Sequence, residues 1–192
     1  MDGLSRWHIR AGMRHRSAFA LLLLMILFAI TPVEASLPPS TLEQAVKASF
    51  LFKFAPFVDW PPTALAAGER TFTICVAGGD PFGSVLDDVV RGQKIAGRSV
   101  AVRRLQAAGS AAGCRILFAG HSDDPGYAPF AALAGQPVLT VADRTGGPPG
   151  AMIEFVRQGG RVRFHIDDGA ARANGLKISS KLLGLAISVN RK

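Results

Sequence analysis

The stretch FTICVAGGDPFG (72–83) places Gly78, Gly79 and Gly83 between a strand-like run and a helix start. Chain free of side chains in that setting can close on a phosphate. A dinucleotide loop needs glycines at its first, third and sixth positions so that the backbone can approach a pyrophosphate. Here Asp80 stands where that approach would occur, its carboxylate would repel phosphate, and no Walker lysine follows. Asp80 is better explained as a helix cap, with Pro81 at the first helical position. The loop is then architecture, although the end of a strand in an open α/β sheet is still a place where small ligands bind.

Other residue types that do chemistry are thinly spread. Ser179 and Ser180 lack a G-x-S-x-G elbow, and Asp123-Asp124 and Asp167-Asp168 fall in loop or helix-start contexts. His121 belongs to a capped loop after a strand. His165 falls between Phe164 and Ile166 on a strand and faces away from both. The chain has two cysteines, Cys75 and Cys114, which allow one connectivity. In an oxidising compartment they form a structural disulfide. The alternative, a catalytic or metal-binding cysteine, has no C-x-x-C motif to support it. No metal site, cofactor or enzymatic activity is required by these residues.

The elements that position them alternate between strand and helix. Ser40-Thr41-Leu42-Glu43 has capping-box spacing and opens a predicted helix from about Thr41 to Phe57. That helix is apolar on nearly every side, through Val46, Phe50, Leu51, Phe54 and Phe57, so it is buried or turns a greasy face to a partner. Trp60-Pro61-Pro62 stops it. A strand over 71–77 puts Phe72, Ile74 and Val76 on one face, and a helix over 80–90 follows. Strands are predicted around Val100 and Val102, over 115–119, over 138–142, and over 152–156 and 161–166, the last two joined as a hairpin through Gly159-Gly160. A short helix over Tyr127 to Leu133, a turn at Gly175 and a helix near Ser180 to Ile187 complete the pattern. The fold class is α/β: a single domain with a mixed β-sheet and helices on both faces.

The N-terminus predicts export. Arg6, Arg10, Arg14 and Arg16 precede an apolar run from Ala18 to Ile30 and the small-residue site Val33-Glu34-Ala35, the order of a secretory signal peptide. The run is shorter than the roughly 20 residues that cross a bilayer. The expected division is therefore a cleaved leader over 1–35 and one periplasmic domain over 36–192. The formal charge of +8 is partly targeting signal, because four of the basic residues lie in the leader. The others are scattered through strand-like segments with little aromatic interleaving, which argues against nucleic acid as a partner.

Several stretches taken in order resemble the YfiR-like periplasmic proteins: VKASFLFKFAPFVDWP (46–61), FTICVAGGDPFG (72–83), KIAGRSVAVRRL (94–105), CRILFAG (114–120), PVLTVAD (137–143), GAMIEFV (150–156), VRFHID (162–167) and GLKISSKLLGLA (175–186). The resemblance implies an α/β periplasmic repressor. Such a protein binds the periplasmic region of an inner-membrane diguanylate cyclase and lowers cyclic di-GMP and biofilm formation, and an outer-membrane lipoprotein relieves the block. It also implies a homodimer, and it matches Cys75 and Cys114 to a family cysteine pair. The second pair that some members carry has no counterpart over 144–152, which places redox control through such a bridge in doubt. A small-ligand carrier, or an accessory subunit of an envelope uptake system, is the alternative function.

Two sets of residues are expected to carry binding. Asp59, Trp60, Lys177 and Ser179, with His165 nearby, form a candidate small-ligand site, because the FVDWP and GLKISS stretches both set polar groups beside apolar ones. Phe50, Phe54, Phe57, Leu182 and Leu185 are candidate anchors for a partner protein.

Overall fold

The computed structural model describes residues 39–65, 68–106 and 111–192; the predicted leader lies outside the described residues. Helix α1 (Pro39–Phe54) runs into a 3₁₀ turn, Ala55–Phe57, with Pro56 inside it. The helix starts two residues before the predicted Thr41. Glu43, expected to close a capping box, pairs instead with Lys47 and Arg157.

The chain then lays down β1 (Val58–Asp59), β2 (Thr71–Ala77), α2 (Ser84–Val90), β3 (Lys94–Ile95), β4 (Arg98–Leu105) and β5 (Cys114–Ala119). After a 3₁₀ turn at Ala131–Leu133 come β6 (Leu139–Asp143), β7 (Ile153–Gln158) and β8 (Arg161–Asp167). The C-terminal part holds α3 (Asp168–Ala173), β9 (Lys177–Ile178), α4 (Ser180–Leu183) and β10 (Val189–Asn190).

Eight strands form the main sheet in the order β10-β8-β7-β6-β5-β2-β4-β3, and β1 with β9 forms a separate two-stranded ribbon. Neighbours from β4 through β2, β5 and β6 to β7 are parallel. β8 returns antiparallel to β7, so the sheet is mixed and the fold is a single α/β domain, as predicted. The β7–β8 hairpin turns on Gly159 and Gly160, with φ of +57° and +72°. Two consecutive positive φ values give the turn whose twist suits a two-residue hairpin, and glycine reaches them at no steric cost.

Alternation along the strands sorts the core onto two faces. Phe72, Ile74, Val76, Ile116, Phe118, Leu139, Val141, Ile153 and Phe155 face the larger cluster, closed by Ala48, Leu51 and Phe54 of α1, Leu86 and Val90 of α2, and Leu182 of α4. Cys75, Ala77, Cys114 and Leu117 face the other side, where Leu133 of the 3₁₀ turn, Val138 and Phe130 cover them. The predicted helix over 127–133 is thus reduced to that one turn. An aromatic group anchors α1 to the sheet. Phe54 stacks on Phe155 at 5.8 Å and meets Phe164 edge-on at 5.2 Å, while Phe50 lies 5.6 Å from Phe164 and 5.8 Å from Phe54. Such pairs add about 0.5–1.5 kcal/mol each beyond the burial of their area, which fixes the helix on the sheet.

Candidate functional site

Cys75 and Cys114 sit on adjacent strands and are joined by a disulfide, with Cα atoms 5.8 Å apart. Both are fully buried, and Arg103 Nη2 lies 3.1 Å from Cys114 Sγ. The bridge ties the middle of β2 to the start of β5, so it braces the sheet from beneath the loop that follows β2.

In that loop Asp80 caps, but not the helix. Its Oδ1 accepts from the backbone amides of Phe82 (2.8 Å) and Gly83 (3.3 Å), closing a side-chain turn, and α2 begins later, at Ser84. The other carboxylate oxygen meets Arg104 Nε at 2.8 Å, and the same guanidinium grips both oxygens of Asp87 at 2.7 and 3.2 Å. Hydrogen bonding to Arg104 holds Asp87 below the usual carboxylate range and raises Arg104 above its own. One arginine from β4 therefore fastens the loop and helix together.

The ribbon unites two stretches that are far apart in sequence. Val58 pairs with Ile178 and Asp59 with Lys177, and the Ser179 amide donates to the Phe57 carbonyl at 2.9 Å. Ser179 Oγ is occupied as the cap of α4, accepting from the Leu182 amide. Trp60 packs edge-on against Phe72 at 5.3 Å, and its buried Nε1 has no hydrogen-bond partner among the described residues. A groove of about 390 Å³ runs beside Asp59 and Trp60, bounded by Phe52, Pro56, Lys94 and Ala96. His165 does not join this group. It lies on β8 between the buried Phe164 and Ile166, faces the opposite side of the sheet from the cluster that Val58 and Ile178 enter, and bonds to Ser188 Oγ through Nδ1 at 2.6 Å. The predicted ligand set is therefore divided: Asp59, Trp60, Lys177 and Ser179 lie on the ribbon and its flanks, and His165 is elsewhere.

The candidate partner-binding residues divide in a similar way. Phe54 and Leu182 are core residues, Phe50 and Phe57 are partly buried against the core, and Leu185 is 57% exposed. Leu42, which the sequence pattern did not single out, is 59% exposed and opens a second groove with Val46, Phe50, Arg157 and Val162.

Sequence inspection also did not assemble a cavity of about 300 Å³ at the ends of β2, β5 and β6, where Asp80, His121 and Asp143 converge. A signal was present in the glycines that follow each of these strands. No group of three or more His, Cys, Asp or Glu placed to hold a metal ion occurs among the described residues, and none of their helices is long and apolar enough to cross a membrane.

Residues 44–187 match the family model described as YfiR/HmsC-like, which thus spans nearly all of the described fold. Comparison with individually curated proteins gives no match.

Proposed function

We propose that this chain, which belongs to the YfiR/HmsC-like family, a family of periplasmic regulators of diguanylate cyclases, represses an inner-membrane cyclase by binding its periplasmic region. The observation that carries this reading is the family match over residues 44–187. Export by a cleaved leader over 1–35 and assembly as a homodimer belong to the same proposal. So does release of the cyclase by an outer-membrane lipoprotein. The family is regulatory rather than catalytic, and the protein acts here without chemistry of its own.

A repressor of this kind works by holding one conformation of its target more tightly than another, because equal affinity for both states shifts nothing. Its contact needs apolar anchors. Leu42 and Leu185 are the large apolar side chains exposed among the described residues, and they supply the first candidates. Phe50, which lines a groove with Leu42, and Phe57 add partly buried apolar surface. The groove along Asp59 and Trp60 is where a small polar molecule would enter the alternative, carrier-like reading, with Lys177 opposite Asp59.

The test is genetic. Deleting the gene should raise cellular cyclic di-GMP and increase adhesion or matrix production, and the rise should vanish when the partner cyclase is also deleted. Unchanged cyclic di-GMP in the single deletion, with the cyclase confirmed as expressed, would remove the repressor reading and promote the carrier.

A further inference from the structure

Strands β2, β5 and β6 are parallel neighbours, so the chain leaves all three on the same side of the sheet. β4 lies on one flank of β2 and β5 on the other. The connection after β2 leads to β4 on one side and the connection after β5 leads to β6 on the other, so the two part at the C-terminal ends of β2 and β5. In open α/β sheets this divide is where small molecules bind. The cavity of about 300 Å³ opens there, lined by Asp80, Pro81, Phe118, His121, Asp143 and Thr145 among others.

Its walls are built from backbone held at close range. The Gly79 amide donates to the His121 carbonyl at 2.7 Å, and the Gly120 amide to the Ala77 carbonyl at 2.9 Å. A Cβ on Gly120 would stand 1.8 Å from the Gly79 carbonyl oxygen, and one on Gly147 would stand 2.4 Å from that of Asp143. Neither can be accommodated without moving the chain. The His121 ring reaches across to the Gly146 carbonyl through Nδ1 at 3.1 Å, joining the loop after β5 to the loop after β6. The cavity is thus formed before any ligand arrives, which removes the ordering cost of making it.

Charge selects the ligand class. Two carboxylates, Asp80 and Asp143, line the cavity, whereas no lysine or arginine among the described residues does. Their cationic partners lie outside the lining: Arg104 takes Asp80 Oδ2, and Lys47 takes Asp143 Oδ1 at 2.6 Å. Asp80 Oδ1 is used by the amides of Phe82 and Gly83, while Asp143 Oδ2 stands outside the Lys47 pair. A phosphate or carboxylate entering the cavity would meet two carboxylates and no lining lysine or arginine among the described residues. Both ring nitrogens of His121 are already engaged, with the Gly146 carbonyl and Asp123. An ammonium group would meet an acceptor, with Pro81 and Phe118 for its carbon body.

We propose that this strand-end cavity binds a small organic ammonium compound, with Asp143 accepting from the ammonium group. The assignment does not depend on the repressor reading, because it rests on the cavity alone.

Phenethylamine is a suitable probe, with phenethyl alcohol and phenylacetate as its neutral and anionic counterparts. In NMR titrations of the purified protein, phenethylamine should give saturable shifts at His121, Thr145 and Gly146. The alcohol should bind at least about tenfold more weakly, the effect of one lost charge-assisted hydrogen bond, and phenylacetate should not bind. Asp143→Asn should weaken phenethylamine by a similar factor. Because that change also strips Lys47 of a partner, Thr145→Trp, at an exposed lining position, provides a second variant. It should block the cavity while the remaining spectrum keeps its dispersion. Absent or remote shifts, phenylacetate binding as tightly as the amine, or full affinity in both variants would overturn the proposal.

Discussion

Lys47 Nζ lies 2.6 Å from Asp143 Oδ1 and 2.7 Å from Glu43 Oε1, so one α1 side chain spans from its own helix to the end of β6. Glu43 extends the network to Arg157 on β7 at 3.4 Å. Burial by itself disfavours the charge on Lys47, but hydrogen bonds to Asp143 and Glu43 outweigh it and raise the pKa. Lys47→Met keeps the stem and deletes the charge, leaving two half-buried carboxylates near each other. It should cost about 1–3 kcal/mol in denaturant unfolding. A raised value in the folded state means that this stabilisation is present below the unfolded value of 10.5 and is lost as pH rises through the folded one. A loss within about 0.5 kcal/mol, the range of ordinary surface changes, would show that the network is dispensable.

Removing the disulfide should be costly for a different reason. Cys75 and Cys114 are 39 residues apart in sequence, and a loop of that length restricts the unfolded chain by about 4 kcal/mol in the chain-entropy model. The native oxidised protein should contain no titratable thiol. Replacing both cysteines by alanine should lower the melting temperature by several degrees, as a loss of about 2–4 kcal/mol implies. Two reactive thiols in the untreated protein would refute the bridge.

Tyr127 is the chain's single tyrosine, so its ionisation can be followed by absorbance without overlap. Its hydroxyl is buried without a hydrogen-bond partner among the described residues, and burial pushes its pKa above 10.0. Tyrosinate should therefore appear at higher pH in the folded protein than in guanidinium. Since the folded state holds this proton more tightly, stability should fall as pH climbs past the unfolded value. Tyr127→Phe should abolish that alkaline loss at little cost near neutrality, as the hydroxyl it removes has no partner. Coincident titration curves in the two states would contradict the burial.

The glycine loops make a steric contrast. Gly120→Ala drives its methyl group to 1.8 Å from the Gly79 carbonyl oxygen, whereas Gly79→Ala approaches the His121 carbonyl oxygen at 3.2 Å. The first should cost at least about 3 kcal/mol or prevent soluble expression, and the second about 1 kcal/mol or less. Equal melting temperatures for the two variants would mean that the loops after β2 and β5 are not held as closely as their geometry implies.

β2 was readable to its ends, because Phe72, Ile74 and Val76 alternate with residues of another face and the strand is long enough for the period of two to register. The β7–β8 hairpin was readable because Gly159-Gly160 names its turn. β1, β9 and β10 were not readable, since two residues carry no period and their partners lie far off in sequence. α4 stops at Leu183 rather than near Ile187, because Ile187 and Ser188 are drawn into hydrogen bonds with Phe164 and Ile166 on β8, and tertiary pairing overrides local helix preference. The functional residues show the same limit. Asp59 and Lys177 were named together on their settings, and they prove to be cross-strand partners. Nothing local marked Asp80, His121 and Asp143 as neighbours, because three separate loops bring them to one cavity.

The ends of the main sheet are two-residue strands. β3 pairs only with Arg98 and Ser99 of β4, and β10 only with Ile166 and Asp167 of β8. Arg161 and Arg163 are exposed along the rest of β8, and Lys94 is exposed on β3. Short outer strands and like charges discourage another chain from continuing a sheet. Part of the protein's basic composition thus works against fibrous polymerisation through the edges of its sheet.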